Sequence, residues 1–349
     1  MSKNITQLAA PVDVKDAFGR PLHDLRISVI DRCNYRCPYC MPAEIYGESY
    51  KFLSRKHWLT AGEIKRIASL FIQLGVAKVR ITGGEPLLRK DIVEIVSSLS
   101  DLPGLDLALT SNGSLLASHA KDLKKAGLKR ITISLDSLDE SVFSEMSGRK
   151  GEVSRVLQGI EAAQSVGLTP IKINVVIQKG KNDHTVLDLI DQFRGSDTIV
   201  RFIEYMDVGT LNGWRLDEVV SSASLVEQIS ARWPLKPVEP NYLGEVANRY
   251  IFEDGKGEVG FISSVSEPFC GDCHRARISA DGTIYTCLFA KDGISIREQL
   301  RAGASDSDLI GFLQGIWRNR KDRYSEQRRE NNEIRKTENS RVEMYRMGG

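Results

Sequence analysis

No apolar run in these 349 residues is long enough to span a bilayer. The opening stretch, MSKNITQLAAPVDV, lacks the charged-then-apolar pattern of a secretory signal. Both absences point to the cytoplasm. A dominant charge is also missing. The net charge is only +2, so no global field favours nucleic acid or a membrane surface as a partner. There is no repeat of solenoid period and no low-complexity tract. A Walker-type G-x-x-x-x-G-K-[ST] is absent, so a nucleotide, if bound, is not held by a P-loop. Cysteine is scarce: six residues are too few for a disulfide scaffold of this length.

The six cysteines are nevertheless not scattered. They form two triplets, Cys33, Cys37, Cys40 and Cys270, Cys273, Cys287, with none between Cys40 and Cys270. Clustered cysteines in a reducing compartment read as metal ligands. The first triplet is C-x3-C-x2-C on the stretch DRCNYRCPYCMP. Three thiolates so close can converge on one centre. A four-iron cluster wants a ligand per iron, so three cysteines leave one iron open to a substrate or cofactor. The second triplet is C-x2-C-x13-C. Structural zinc is its competing reading. Zinc wants four ligands, and the only nearby histidine, His274, adjoins Cys273 in an awkward position to share a metal with it. The histidines otherwise form no ligand pattern.

Strands are expected at Leu25–Ile30, Lys78–Thr82, Leu105–Thr110, Arg130–Leu135, Ile171–Ile177 and Ile199–Glu204, alternating with amphipathic helices. One helix starts at Thr60, where Thr60 and Glu63 make a capping-box pattern ahead of the stripe Ile64, Ile67, Ala68, Phe71 and Leu74. The alternation indicates right-handed βαβ units and a parallel sheet. An open doubly wound sheet and a barrel both satisfy it. Every strand ends in a turn with glycine or polar residues, among them GGEP, and a barrel gathers all such ends at one mouth. The expected fold class is therefore α/β, a partial six-stranded (β/α) barrel with a C-terminal extension carrying the second triplet. The expected division is a loose arm over 1–18, the barrel over 19–235 and the C-terminal cluster and substrate region over 236–349. WPLKPVEPNYLG reads as a connector, RYIFED and VGFISS as short strands, and ISADGTIYTC as a hairpin turning at Asp281-Gly282. The charge-dense end from Arg318 to Arg341 reads as a solvated helix or tail.

Some basic residues stand out. Arg275 and Arg277 are two apart, so an extended segment points both to one side, beside the second cysteine pair. Arg26, Arg80 and Lys172 alternate with apolar neighbours on barrel strands. An inward cation needs an anionic partner, either a carboxylate or a phosphate. Asp136 and Asp139 are carboxylates on a loop, a place where such groups are usually solvated.

The C-x3-C-x2-C triplet, with Tyr39 before its third cysteine, resembles the radical S-adenosylmethionine superfamily. The second triplet, the flanking HRAR and the closing Gly348-Gly349 resemble, within it, the GTP 3′,8-cyclases of molybdenum cofactor biosynthesis. The likeness runs from about Gly19 to the last residue.

That resemblance implies two [4Fe–4S] clusters, one on each triplet. S-adenosylmethionine would chelate the open iron of the first, with Tyr39, Gly84, Glu85, Ser134, Arg201 and Met206 around it. The guanine of GTP would meet the open iron of the second. Arg26, Arg80, Thr110, Lys172, Arg275 and Arg277 would contact GTP, and Arg275, Arg277, Gly348 and Gly349 would act in catalysis. It also implies an electron donor, passage of the product to the cyclic pyranopterin monophosphate synthase, and room for a homodimer. Two rivals remain at this stage. One is a radical S-adenosylmethionine maturase acting on a peptide, and the other a non-catalytic zinc-binding interaction protein.

Overall fold

The structure is a computed structural model, and it describes residues 13–242, 244–328 and 341–348. The strand-and-helix alternation appears where the periodicity puts it. In chain order come β1 (Asp24–Ser28), α1 (Ala61–Gln73), β2 (Lys78–Thr82), α2 (Ile92–Ser100), β3 (Asp106–Ser111), α3 (Leu116–Lys125) and β4 (Arg130–Ser134). Then follow α4 (Glu140–Met146), α5 (Val153–Ser165), β5 (Ile171–Ile177), α6 (Val186–Phe193) and β6 (Thr198–Glu204). The capping box of α1 is formed: Glu63 N donates to Thr60 Oγ1 and Thr60 N to the Glu63 carboxylate. The expected stripe of that helix, Ile64 to Leu74, is buried.

Beyond β6 the chain makes α7 (Ser222–Ser230), β7 (Leu235–Val238), β8 (Asn248–Phe252), β9 (Glu258–Ile262), β10 (Arg275–Ile278), β11 (Thr283–Tyr285) and β12 (Ile294–Ser295). It finishes with α8 (Arg297–Arg301), α9 (Asp306–Arg318), α10 (Tyr324–Gln327) and α11 (Met344–Met347). All twelve strands join one sheet, ordered β12-β11-β10-β1-β2-β3-β4-β5-β6-β9-β8-β7. The six barrel strands are parallel. β9 and β10 extend that parallel run, β9 beside β6 and β10 beside β1. The C-terminal extension thus builds both edges of the barrel sheet. Part of the stretch read as a connector, Leu235–Val238, is a strand paired antiparallel with β8. Pro237 sits on this outermost strand, where a missing N–H costs nothing.

Two-residue alternation sorts the strands into two faces. Leu25, Ile27, Val79, Ile81, Ile131, Ile133, Ile171, Ile173 and Val175 are almost fully buried in the main hydrophobic core. Each such side chain contributes roughly 1.5–3 kcal/mol by leaving water. The other face of the same strands carries Arg26, Arg80, Thr82, Thr110, Ser134, Asn174 and Arg201, and all of these line a cavity. The interior of this barrel is therefore a polar chamber and not a packed core.

Of the expected loose arm over 1–18, residues 1–12 lie outside the described residues, and the remainder is packed in part. Val14 and Asp16 are buried, and Asp16 forms ion pairs with Arg20 and Arg320. Of the charge-dense end, residues 329–340 lie outside the described residues. Arg320 and Arg328, just before them, are buried and not solvated.

Candidate active site: two cysteine triads on one cavity

All six cysteines are unbridged and all six line the same cavity. The first three follow β1 on a loop held from several sides. Gly84 N donates to Ile30 O at 2.7 Å and Glu85 N to Arg32 O at 2.8 Å, which locks the GGEP turn against the start of the cysteine loop. The approach is close enough to require glycine. A Cβ on Gly84 would lie 2.2 Å from the Arg32 carbonyl oxygen. Arg36 ties the loop internally by donating to the carbonyls of Cys33, Tyr35 and Tyr46. Burial raises the pKa of all three thiols, Cys33 to about 12, with the Glu85 charge adding to it there. Three unbridged sulfurs lining one cavity suit iron, which takes the place of the thiol protons.

Of the residues expected around S-adenosylmethionine, Tyr39, Gly84, Ser134, Arg201 and Met206 line the cavity. Glu85 is fully buried behind it. Its carboxylate accepts from Leu87 N, Ser111 Oγ and Asn112 N, and burial lifts its pKa to about 7 against those donors. In this position its side chain holds the GGEP turn to β3. Asp136, which the sequence suggests to be solvated, is buried. It accepts from Tyr39 Oη at 2.7 Å and from Val176 N at 2.9 Å, and burial pushes its pKa to about 6. Sequence spacing gives no hint of this pairing. Asp139 does a different job, capping α4 through Val142 N.

The second triad is built on the β10–β11 hairpin. Cys270 and Cys273 precede β10, and Cys287 follows β11. The turn at Asp281-Gly282 forms as expected, with Gly282 at φ +80°. The parallel registers β10–β1 and β1–β2 put Arg277, Arg26 and Arg80 in one row, with Arg275, Asp24 and Lys78 in the row below. Among the described residues, six basic side chains line the cavity against three carboxylates, Asp24, Asp136 and Glu245. Burial depresses the Arg26 guanidinium, and Arg277, Arg80 and Arg275 depress it further. Thr110 Oγ1, Asn174 Oδ1 and Arg277 Nε are buried with no hydrogen-bond partner among the described residues. Each such atom costs about 1–3 kcal/mol until something bonds it. A surplus of guanidinium charge beside orphaned polar atoms is a site prepared for a polyanion.

Lys172 lies on the same strand face as Asn174 and Val176, two residues before Asn174, and is not among the residues lining the cavity. Burial, then Arg201 and Arg130, lower its pKa to about 7. Gly348 ends α11 at φ +72° and packs on Thr82, where a Cβ would lie 2.0 Å from Cγ2. Tyr345 anchors that end against Met41 and Tyr46, with Tyr50 Oη 2.9 Å from Tyr345 Oη. Gly349 lies outside the described residues.

The histidines do make one cluster. His23 Nδ1 lies 2.9 Å from one oxygen of Asp24 and His274 Nδ1 3.9 Å from the other. Burial raises the Asp24 pKa, but the His23 hydrogen bond and the charges of Lys78 and His274 outweigh it and hold it at about 2. Asp24 thus already faces an ammonium and two imidazoles.

The chain matches the Radical SAM superfamily over residues 27–193 and Molybdenum Cofactor Synthesis C over residues 198–326. A protein of Xanthomonas campestris pv. campestris (strain B100) named GTP 3′,8-cyclase is 50% identical over 342 residues, covering 98% of both chains. One of the same name from Staphylococcus saprophyticus is 44% identical, covering 96% of this chain and 99% of its own. Among solved structures, Streptococcus suis SuiB bound to S-adenosylmethionine superposes with a TM-score of 0.61 at 17% identity, over 84% of this chain and 68% of that one. At that identity the likeness is one of fold.

Proposed function

The chain belongs to the GTP 3′,8-cyclase family of radical S-adenosylmethionine enzymes, and on that premise we propose how its residues share the work. It is an enzyme of molybdenum cofactor biosynthesis acting on GTP, with S-adenosylmethionine and an iron–sulfur cluster as cofactors. The finer assignment is ours: two [4Fe–4S] clusters, the first on Cys33, Cys37 and Cys40, the second on Cys270, Cys273 and Cys287. When bound, the first cluster and S-adenosylmethionine would supply the radical chemistry that removes H3′ of GTP and closes C3′ on C8, one electron releasing methionine from the cofactor and a second electron with a proton completing 3′,8-cyclo-7,8-dihydro-GTP.

The protein's own part is position and charge. Tyr39, fixed by Asp136, forms a wall of the cofactor side with Gly84, Ser134 and Met206. Arg26, Arg80, Arg275 and Arg277 hold the triphosphate, and Thr110 supplies a further hydrogen bond. Lys172 adds charge from below. Arg201, 3.7 Å from Glu245, stands between the two sides. Gly348 packs on Thr82, beside the GGEP turn, and we assign Gly348 and Gly349 to catalysis. Two three-cysteine sets facing one arginine-lined cavity support this division of labour.

The mechanism needs a one-electron donor, and its product needs a synthase that turns it into cyclic pyranopterin monophosphate; we propose both as partners. No helix among the described residues is long and apolar enough to cross a membrane, and we place the enzyme in the cytoplasm. The peptide-maturase and zinc-module readings give way to the cyclase relatives. The test is incubation of anaerobically reconstituted protein with GTP, S-adenosylmethionine and a reductant, followed by mass analysis of the product. About eight iron per chain fits two four-iron clusters. About four iron, with zinc on the second triad, would end the two-cluster assignment.

A further inference from the structure

Behind the second triad, on the side away from substrate, sits a buried charge network that GTP binding does not explain. Arg320 lies two residues past α9 and is 4% exposed. Its Nη2 donates to Cys273 Sγ at 3.1 Å and its Nη1 to Cys273 O at 2.6 Å. Arg20, 3% exposed, donates to Cys270 O at 2.6 Å. Asp16 accepts from both arginines, at 2.6 Å from Arg20 and 3.2 Å from Arg320. The Trp317 ring lies 4.6 Å from the Arg320 guanidinium and packs on it. Neither arginine lines the cavity.

Asp16 is shared by both buried guanidiniums, and Asp322 Oδ2 lies 3.4 Å from Arg320 Nε as a second carboxylate. An iron-bound Cys273 sulfur adds a further negative group, and the Arg320 fork already points at it. At the first triad Arg36 donates to the Cys33 carbonyl at 2.8 Å, but among the described residues no charged donor bonds one of its sulfurs. There Cys33 Sγ accepts from Tyr35 N at 3.4 Å and meets Asn112 Nδ2 at 3.8 Å, both uncharged donors.

Hydrogen bonds to the sulfurs and the net charge around them are what set a cluster's reduction potential. We infer that Arg320 is a positioning residue for the second cluster, whose charge and hydrogen bond on Cys273 raise that cluster's reduction potential above that of the first. This rests on the reading that Cys270, Cys273 and Cys287 hold an iron–sulfur cluster. The redox step is simple. An external reductant such as dithionite is oxidised by one electron, and the second cluster accepts that electron, its added charge facing the guanidinium. Electrons arriving from a donor therefore settle on the second cluster first.

The experiment is a redox titration of the reconstituted holoenzyme followed by electron paramagnetic resonance, on wild type, Arg320→Lys and Arg320→Gln. Added S-adenosylmethionine identifies the first cluster's signal, because it perturbs only that one. In Arg320→Gln the equilibrium constant for reducing the second cluster should fall at least tenfold, about 59 mV for one electron. Arg320→Lys, which keeps the charge but loses the fork, should fall between the two, and the first cluster should not move. An unchanged second potential with iron retained, or a common shift of both clusters, overturns the inference. If Arg320→Gln loses iron, Arg320→Lys decides alone: a lowered potential supports the inference and an unaltered one overturns it. Wild-type protein with only four iron overturns it through its premise, and the iron count separates that case from the others.

Discussion

The two cysteine triads have the same ligand count and opposite electrostatic settings. The first sits on one loop that Arg36 ties together, its sulfurs bonded by uncharged donors, with the buried carboxylates of Glu85 and Asp136 close by. The second spans a hairpin and lies among Arg275, Arg277 and Arg320. Burial raises the thiols of the first set and also Cys287 of the second, whereas Cys273 is brought down by the arginines against its burial, to about 6. The difference matches what each side is proposed to receive. S-adenosylmethionine carries a sulfonium cation, which a carboxylate-rich wall tolerates. GTP carries a polyanion, which a row of guanidiniums attracts. One polar chamber is thus divided by charge, a division suited to orienting the two proposed ligands.

The sharpest way to break this contrast is to remove each triad in turn. Changing Cys33, Cys37 or Cys40 to Ser should bring cleavage of S-adenosylmethionine below detection, measured as 5′-deoxyadenosine formed. Changing Cys270, Cys273 or Cys287 to Ser should leave the first cluster able to cleave the cofactor while cyclised product disappears. Equal loss of 5′-deoxyadenosine in both sets would erase the distinction.

On the basic side, Arg277→Ala should leave the iron content intact and weaken GTP binding by about 1.5–3 kcal/mol, roughly 10- to 150-fold, the range for a hydrogen bond to a charged group. Unaltered affinity by calorimetry would remove the phosphate role. On the first side, Gly84→Ala forces a Cβ against the Arg32 carbonyl, 2.2 Å away. It should cost about 1–3 kcal/mol of stability, as overpacking does, and lower iron at the first triad only. Iron lost equally from both triads would mean that the two loops are not independently held.

The smallest effect concerns pH. Lys172 is held at about 7 by burial and by Arg201 and Arg130. Its charged form is the one that attracts phosphate. That contribution is present below about 7 and fades as pH rises, with bound GTP moving the window upward by favouring the ammonium. GTP affinity should therefore fall a few-fold between about pH 7.5 and 9, and Lys172→Met should flatten that part of the profile. A wild-type profile that is flat over the same range would show that Lys172 does not feel the nucleotide.

Much of this was legible from local pattern. The six strands, the α1 capping box, the Asp281-Gly282 turn and both cysteine sets each announce themselves within a few residues. What stayed hidden depends on distant parts of the chain meeting. Nothing in RARI says that β10 will lie beside β1, because a parallel partner leaves no turn signal. Asp136 reads as a loop carboxylate until Tyr39 reaches it. Asp16, in a stretch that reads as a loose arm, is buried only because Arg20 and Arg320 close over it. The polarity of Arg318 to Arg341 suggests a solvated element, yet Arg320 and Arg328 are interior because their partners are.

The pairing of β1 with β10 sets a timetable for biosynthesis. The main-chain carbonyl of Cys270 bonds Arg20, 250 residues earlier. At ribosomal speeds of about 5–20 residues per second, roughly 12–50 s pass between making the first strand and making its outer neighbour. Through that interval the nascent barrel offers a bare hydrogen-bonding edge, a template for pairing with the wrong chain. The iron sites inherit the same schedule: the first loop is complete while the chain is short, and the second must wait until the sheet's far side arrives.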